Sequence, residues 1–347
     1  MAREKLCVGI DIGASSIKLC QLKSTKDEIS LEHFGLVPLP NETIVDGALM
    51  NAPRVVEAVQ ELIASHKVRS KEVALSVSGH SVIIKKIPLP QMTPEELRES
   101  IQWEAEQYIP FDIQDVFLDV QIVNPEATQQ GQMEVVLVAA KKDMINEYTA
   151  VLHEAGLDPV ICDVDAFAME TMFEKNYDNV AESTIALINL GATKTTLNII
   201  SKGISCFTRD LNIGGNAFTE EIQRQANIGF DEAEDLKLSF EGENTNDAAE
   251  AAIELVADSY TNEILRSIDF YSATSADGAP TKIYLGGGSA RLPRLVQAIA
   301  AGTGVETEVL NPFRKIATNP EDQEYLTNAA PTASVVVGLA LRYLGDN

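Results

Sequence analysis

Cysteine, basic side chains and long apolar runs are all scarce in this sequence, and each shortage removes a class of protein. Only 4 of the 347 residues are cysteine, and Cys7, Cys20, Cys162 and Cys206 each stand alone within an apolar stretch. That is too few for a disulfide scaffold and too scattered for a paired metal site, so buried thiols in a reducing compartment are expected. Lys and Arg number 27 against 52 Asp and Glu, a net charge of -25. So acidic a surface repels nucleic-acid phosphates and anionic lipid headgroups, so neither nucleic acid nor a polybasic membrane anchor is expected. No window approaches the roughly 20 apolar residues of a membrane span. The apolar run ahead of Asp11 is too short for a signal-peptide core. A cytoplasmic protein is expected, with any membrane association coming through a partner. Hydrophobic residues nevertheless make up 45% of the chain, and its length of 347 suggests two domains that fold on their own cores.

Alternation of apolar and polar residues predicts strands over 6–13, 16–22 and 29–39, joined by tight polar turns into an antiparallel meander. A helix over 54–67 follows, with Val55, Val59, Leu62 and Ile63 on one face, and then a strand over 73–78. This order describes an α/β or α+β layer packed on one sheet. Between 85 and 158 the pattern changes, with strands over 116–123 and 133–141 enclosing a turn-rich stretch, and an inserted subdomain is expected. Its helix opens with Thr93 as N-cap, Pro94 as first residue and Glu96 as capping-box partner, ahead of a buried stripe of Leu97, Ile101, Ala105 and Tyr108. Trp103, the only tryptophan, lies on the opposite side of that helix and faces another surface. After a strand over 160–167 the opening pattern returns over 183–191, 195–201 and 204–211, which points to a duplicated domain. The acidic helical stretch from Asp231 to Thr274 is expected to present a solvated carboxylate face.

The first segment with chemistry is Asp11-Ile12-Gly13-Ala14-Ser15-Ser16-Ile17-Lys18. Gly13 permits close backbone approach, the turn offers amides and hydroxyls to phosphate oxygens, Lys18 supplies charge, and Asp11 is placed to hold magnesium through water. An ordinary hairpin turn is the alternative for this segment alone. Asn189, Gly191, Ala192, Thr193 and Thr195 repeat the geometry in the second sheet, and two such hairpins facing each other make a phosphate clamp. Gly286, Gly287, Gly288 and Ser289 end a strand without side chains, which leaves room for a flat base. Gly214, Gly215 and Asn216 open a helix toward an anion. Glu234 and Lys237 stand one turn apart, either as contacts to a sugar and base or as an ordinary solvated ion pair.

Taken in this order, the segments resemble the two phosphate motifs, the adenosine motif and the ribose-contacting helix of the actin and Hsp70 superfamily of ATP-binding proteins. Within it the chain resembles the PilM family of actin-like proteins of type IV pilus assembly, most specifically over 84–121 and also over 187–199, 209–219 and 331–342. The resemblance implies an α/β fold of two facing, duplicated ribonuclease H-like domains with ATP and Mg2+ in the cleft. It divides the chain into 1–84, 159–182 and 331–347 for the first domain, 85–158 for an FtsA-type insertion, 183–225 with 280–330 for the second domain, and 226–279 for a helical subdomain.

The resemblance also implies a partner, the cytoplasmic tail of PilN held in a groove beside the insertion, and through it PilO and PilP in an inner-membrane alignment complex. The pilus motor ATPases and platform protein are further candidate partners, and Trp103 is the candidate contact residue. One departure concerns Asn189, where the superfamily usually has Asp. A neutral amide offers magnesium less charge and cannot act as a carboxylate base, so slow hydrolysis at most is expected. Asp163 and Asp165 are the remaining carboxylates placed to orient water, or else caps or turn residues. Two other readings compete. An FtsA-like filament protein would carry an amphipathic helix after its last domain, whereas this chain ends LALRYLGDN. A small-molecule kinase would need a carboxylate aimed at an acceptor hydroxyl, and no such residue stands out.

Overall fold

A computed structural model describes residues 5–26, 28–124, 131–178, 183–239 and 247–345. In the first sheet, β1 (Val8–Ile12), β2 (Ser16–Ser24) and β3 (Ile29–Pro38) form the expected meander. A small hairpin of β4 (Ile44–Val45) and β5 (Ala48–Leu49) and helix α1 (Ala52–His66) come next. Strands β6 (Glu72–Val77) and β10 (Asp158–Val164) complete that sheet parallel to β1, in the order β10-β6-β1-β2-β3. The second sheet repeats this plan. Its meander is β11 (Thr184–Leu190), β12 (Thr195–Ser201) and β13 (Ile204–Leu211), and β14 (Lys282–Gly286) and β15 (Glu306–Val309) add parallel to β11 in the order β13-β12-β11-β14-β15. The two orders correspond strand for strand, so the internal repeat is a duplicated fold.

The insertion is an antiparallel sheet of β7 (Val82–Pro90), β9 (Gln132–Lys141) and β8 (Val116–Asn124), covered by α2 (Pro94–Ala105). The capping box at the start of α2 forms as the local sequence dictates: the Glu96 amide donates to Thr93 Oγ1 at 3.2 Å and the Thr93 amide to Glu96 Oε2 at 2.8 Å. Leu97, Ile101 and Ala105 then pack on Val135 and Leu137 in a core separate from the others, while Trp103 is 75% exposed. Helix α3 (Lys142–Glu154), placed inside the inserted piece by its sequence position, packs elsewhere. Its buried face of Met144, Tyr148, Val151 and Leu152 joins Val55, Val59 and Leu62 of α1 in the core of the first sheet. No helix was expected over these residues, and the 85–158 boundary of the insertion therefore ran too far.

Helices α4 (Asp165–Asn176) and α10 (Ser334–Ala340) lie between the two sheets. They share a core with Cys7, Cys20 and Ala74 of the first sheet and Ile185, Leu187 and Ile200 of the second. Gly338 makes their crossing possible, because a Cβ there would collide with the Ala168 backbone carbonyl. The second domain buries its far face under α5 (Asn216–Ala226), α6 (Phe230–Leu238), α7 (Asp247–Thr274) and α8 (Pro293–Thr303), and α9 (Gln323–Ala329) precedes α10. The acidic stretch is thus two helices, with residues 240–246 outside the described ones. Helix α7 turns Ile253, Tyr260 and Ile264 into the core while Glu250, Glu254 and Asp258 face solvent. Cys7 and Cys20 are buried as expected, but Cys206 is half-buried and Cys162 is exposed on the edge strand β10.

Candidate functional site

The strand faces that meet α4 and α10 are apolar at depth and turn polar at one end. Along β1 the inward positions read Cys7, Gly9, Asp11; along β6 and just beyond it, Ala74, Ser76, Ser78; along β11, Ile185, Leu187, Asn189. Because side chains alternate across a strand, these runs deliver their last residues to one place, the mouth of the cleft between the domains.

Two hairpins of identical closure form the floor. The Gly13 amide donates to the Ser16 carbonyl at 3.1 Å, and the Gly191 amide donates to the Lys194 carbonyl at 3.0 Å. Among the described residues the amides of Ala14, Ser15, Ala192 and Thr193 at the two tips donate to no backbone acceptor. Asp11 and Lys18 face each other across β1 and β2, and Lys18 Nζ donates to Asp11 Oδ2 at 3.0 Å. Burial raises the pKa of Asp11, and Asp165 adds to the rise, while Lys18 and Lys194 oppose it. Asp11 therefore feels the charges of both hairpins and of α4 at once.

The structure separates the two candidate carboxylates. Asp163 is buried and accepts two hydrogen bonds from Arg342, 2.8 Å from Nε and 2.5 Å from the terminal nitrogen, so it ties the end of α10 to β10. Asp165, the first residue of α4, faces the cleft, where Ser76 Oγ donates to its Oδ1 at 2.6 Å and Ser78 Oγ donates to its Oδ2.

In the second domain the remaining predicted residues come together around the Gly191 hairpin. The Gly191 carbonyl accepts from the Gly215 amide at 2.8 Å and from Ser289 Oγ at 3.3 Å, and the Ala192 carbonyl accepts from the Asn216 amide at 2.8 Å. Gly214 packs against the Ala192 and Thr193 backbone. Lys237, only 7% exposed, donates to Glu234 Oε2 at 2.6 Å, Thr219 Oγ1 at 2.9 Å and the Gly215 carbonyl at 3.3 Å. It is therefore no solvated ion pair; burial lowers its pKa and Glu234 opposes the shift. Gly286 lies opposite Asn189 in the β11–β14 register, and Gly287 has φ +86° with its amide donating to the Pro331 carbonyl at 2.7 Å. A side chain at Gly287 would run into the Leu190 carbonyl, so only glycine fits that bend. Around Gly288 the nearest side-chain atom to an added Cβ would be 3.9 Å away, on Thr332.

Besides Asp163, two expectations fail here: Gly214, Gly215 and Asn216 do not open their helix toward an anion, because the Gly215 and Asn216 amides are spent on the hairpin carbonyls, and Thr195 points away from the cleft. Thr195 is fully buried, donating to the Ile213 carbonyl at 2.8 Å and bonded to the Tyr260 hydroxyl in the core of the second domain. Its neighbour Thr196 faces the cleft instead, because adjacent strand residues point to opposite faces.

A family model described as type IV pilus assembly protein PilM matches residues 9–344. The chain belongs to the PilM family. A solved PilM-PilN type IV pilus biogenesis complex is 29% identical, covers 98% of each chain and superposes with a TM-score of 0.88. The cell division protein FtsA of Bacillus subtilis (strain 168) is 22% identical over 261 residues, 68% of this chain but 58% of its own length, so the chain spans less than two thirds of that relative. MreB 5 of Spiroplasma citri bound to AMPPNP is 12% identical and superposes with a TM-score of 0.51, covering 96% of this chain and 94% of its own. The fold of this PilM-family chain is accordingly actin-like, and among the described residues no helix is long and apolar enough to cross a membrane.

Within the PilM-family frame the structure adds residues that sequence reading passed over: Ser76, Ser78, Lys194, Thr196 and Asp210. Ser76 and Ser78 carried a signal, two small hydroxyls at period two ending an otherwise apolar strand. Lys194 lay within the second hairpin, but its contact partner is 116 positions away.

Proposed function

We propose that this protein binds ATP with Mg2+ in the cleft between its domains and, in that form, holds the cytoplasmic tail of PilN beside the inserted subdomain. In this reading it is the cytoplasmic member of an inner-membrane assembly with PilN, PilO and PilP. The observation that carries the proposal is the pair of like hairpins at one cleft, four tip amides free of backbone partners, in a chain that resembles a PilM solved with PilN.

The residues fit a nucleotide. The tip amides of Ala14, Ser15, Ala192 and Thr193 would receive phosphate oxygens, with Ser15, Ser16 and Thr193 lining the tips and Lys18 supplying charge. The open backbone at Gly288 would accept the base and Glu234 the sugar, with Lys237, whose three donors are spent on Glu234, Thr219 and the Gly215 carbonyl, holding Glu234 in place. For Mg2+ the donor set is two carboxylates, Asp11 and Asp165, and among the described residues no group of three His, Cys, Asp or Glu gathers into a cage. That suits an ion brought in by the phosphates and held through water. Bound Mg-ATP would supply a rigid polyanion reaching both hairpins, and hence favour the closed arrangement.

Asp165, held by Ser76 and Ser78, is the carboxylate placed to orient a water, whereas Asp163 is committed to Arg342. Asn189 offers the cleft a neutral amide, so turnover is slow and the loaded state long-lived. The closed state then binds the tail better, and by linkage the tail must favour ATP equally.

The test is single-turnover: protein in excess over labelled ATP with magnesium, followed for hours with and without a PilN-tail peptide. Capture of ATP, with slow or no conversion to ADP and tighter peptide binding in the loaded protein, is expected. Failure to retain ATP, or peptide affinity indifferent to it, overturns the proposal.

A further inference from the structure

A second set of contacts crosses the cleft near the two hairpins and meets the first domain at the stem of the insertion. Lys194 Nζ, from the second hairpin, donates to Ser78 Oγ, and Asp210 Oδ2, from β13, accepts from the Gly79 amide at 2.6 Å. Asp210 Oδ1 accepts in turn from Thr196 Oγ1 at 2.6 Å, which ties this carboxylate to the strand that leaves the phosphate hairpin. Ser78 and Gly79 end the β6 segment and turn directly into the insertion: the Val82 amide donates to the Gly79 carbonyl at 2.9 Å, and the Lys141 amide at the far end of β9 donates to the Ser81 carbonyl at 3.0 Å. Gly79 adopts φ +96°, which glycine takes readily, and Lys194 Nζ would lie 3.3 Å from a Cβ there. Just beyond, Ile84, Lys86 and Val136 of the insertion face Ser205, Phe207 and Thr208 of the second domain across a groove of about 280 Å³.

The charges are unequally served. Among the described residues Lys194 has no carboxylate within ion-pair distance, and its ammonium rests on a hydroxyl. A cation so held is free to exchange its partner for an arriving anion at little cost, since the hydroxyl it leaves still bonds Asp165.

We infer that Lys194 and Asp210 are positioning residues that transmit occupancy of the phosphate hairpins to the inserted subdomain. Lys194 exchanges Ser78 for a phosphate oxygen, while Asp210 keeps the Gly79 turn attached to the second domain, so movement of the hairpin sheet is carried into β7 and β9 and sets the width of the groove. This rests on the reading that the cleft takes a nucleotide.

The test is hydrogen exchange on the full chain, with and without saturating Mg-ATP, in the wild type, Asp210→Ala and Lys194→Met, with retained labelled ATP measured in each. The wild type should show ATP-dependent slowing of at least about fivefold over residues 79–90 and 132–141. In Asp210→Ala with ATP retained, and in Lys194→Met at saturating ATP, that slowing should fall below about twofold. Loaded variants that keep the full response, or a loaded wild type without one, overturn the inference while leaving nucleotide binding intact. A wild type that retains no ATP overturns the nucleotide reading itself and this coupling with it. If Asp210→Ala does not fold, the Lys194→Met arm alone decides.

Discussion

Replacing Glu170 by Gln should stabilise the protein at alkaline pH and do little in mild acid. Glu170 lies on α4 between the domains, where Asn198 Nδ2 of β12 donates to its Oε2 at 3.3 Å, and Ser205 Oγ fixes the Asn198 amide by donating to its Oδ1 at 2.6 Å. Burial, and secondarily the Glu174 carboxylate, push the Glu170 pKa from 4.5 up to about 8; Asp163 adds to the rise, and the Asn198 hydrogen bond and Arg342 oppose it. An acid whose pKa is raised by folding keeps its proton in the native state. Its full contribution to stability is present below 4.5 and is lost progressively as pH climbs to about 8. At 1.36 kcal/mol per pH unit that interval amounts to roughly 4–5 kcal/mol, which the partial solvent contact of the side chain reduces to about 2–3 kcal/mol. Glutamine keeps the acceptor for Asn198 and never ionises. With an unfolding entropy of about 2.1 cal/mol/K per residue, the variant should melt about 3–4 °C above wild type at pH 8.5. At pH 5.5, still above the isoelectric point of about 4.5, the difference should shrink to about 1 °C. Thermal melts across that range measure both; a difference independent of pH, or a variant less stable at pH 8.5, would refute the reasoning.

Gly338→Ala forces a methyl against the Ala168 carbonyl, and α4 and α10 must part. A loss of about 1–3 kcal/mol is expected in denaturant melts, and an unchanged midpoint would mean the helices do not approach so closely. Thr195→Val leaves the buried Tyr260 hydroxyl without its partner and should cost about 1–3 kcal/mol of stability while ATP retention per folded molecule is preserved; a selective loss of ATP would return Thr195 to the cleft. Trp103→Ala should leave stability within about 0.5 kcal/mol, given its exposure, yet weaken PilN-tail binding by about fivefold or more, and unaltered affinity in titration calorimetry would remove it from the interface.

Features set by residues close together in the chain are legible in the sequence itself. The capping box at Thr93 and Glu96, the two hairpins and the off-stripe position of Trp103 depend on contacts within a few residues, which local physics decides. Even the duplication shows, because each sheet begins with the same three-strand pattern. The buried state of Lys237 does not show: one turn of helix puts it beside Glu234, but only packing on Thr219 and the Gly215 carbonyl takes the pair out of water.

Period, turn chemistry and spacing carry the repeated three-strand pattern, the insertion with its capped helix and the order of the hairpins, while the assembly of both repeats into facing α/β domains was implied by the family resemblance. Only the tertiary structure decided which of each alternating pair faces the cleft. Thr195 and Thr196 differ by one position and therefore point to opposite faces, and nothing local says which face another domain will cover. Asp163 and Asp165, two positions apart, were sorted by distant partners, one claimed by Arg342, 179 positions away, and the other by Ser76, 89 positions away. Likewise α3 was not anticipated, and its burial against the first domain rather than the insertion was settled by the return of the chain to β10 beside β6. Contacts between distant segments form when whole surfaces pack, and their partners are chosen by the fold that brings those surfaces together.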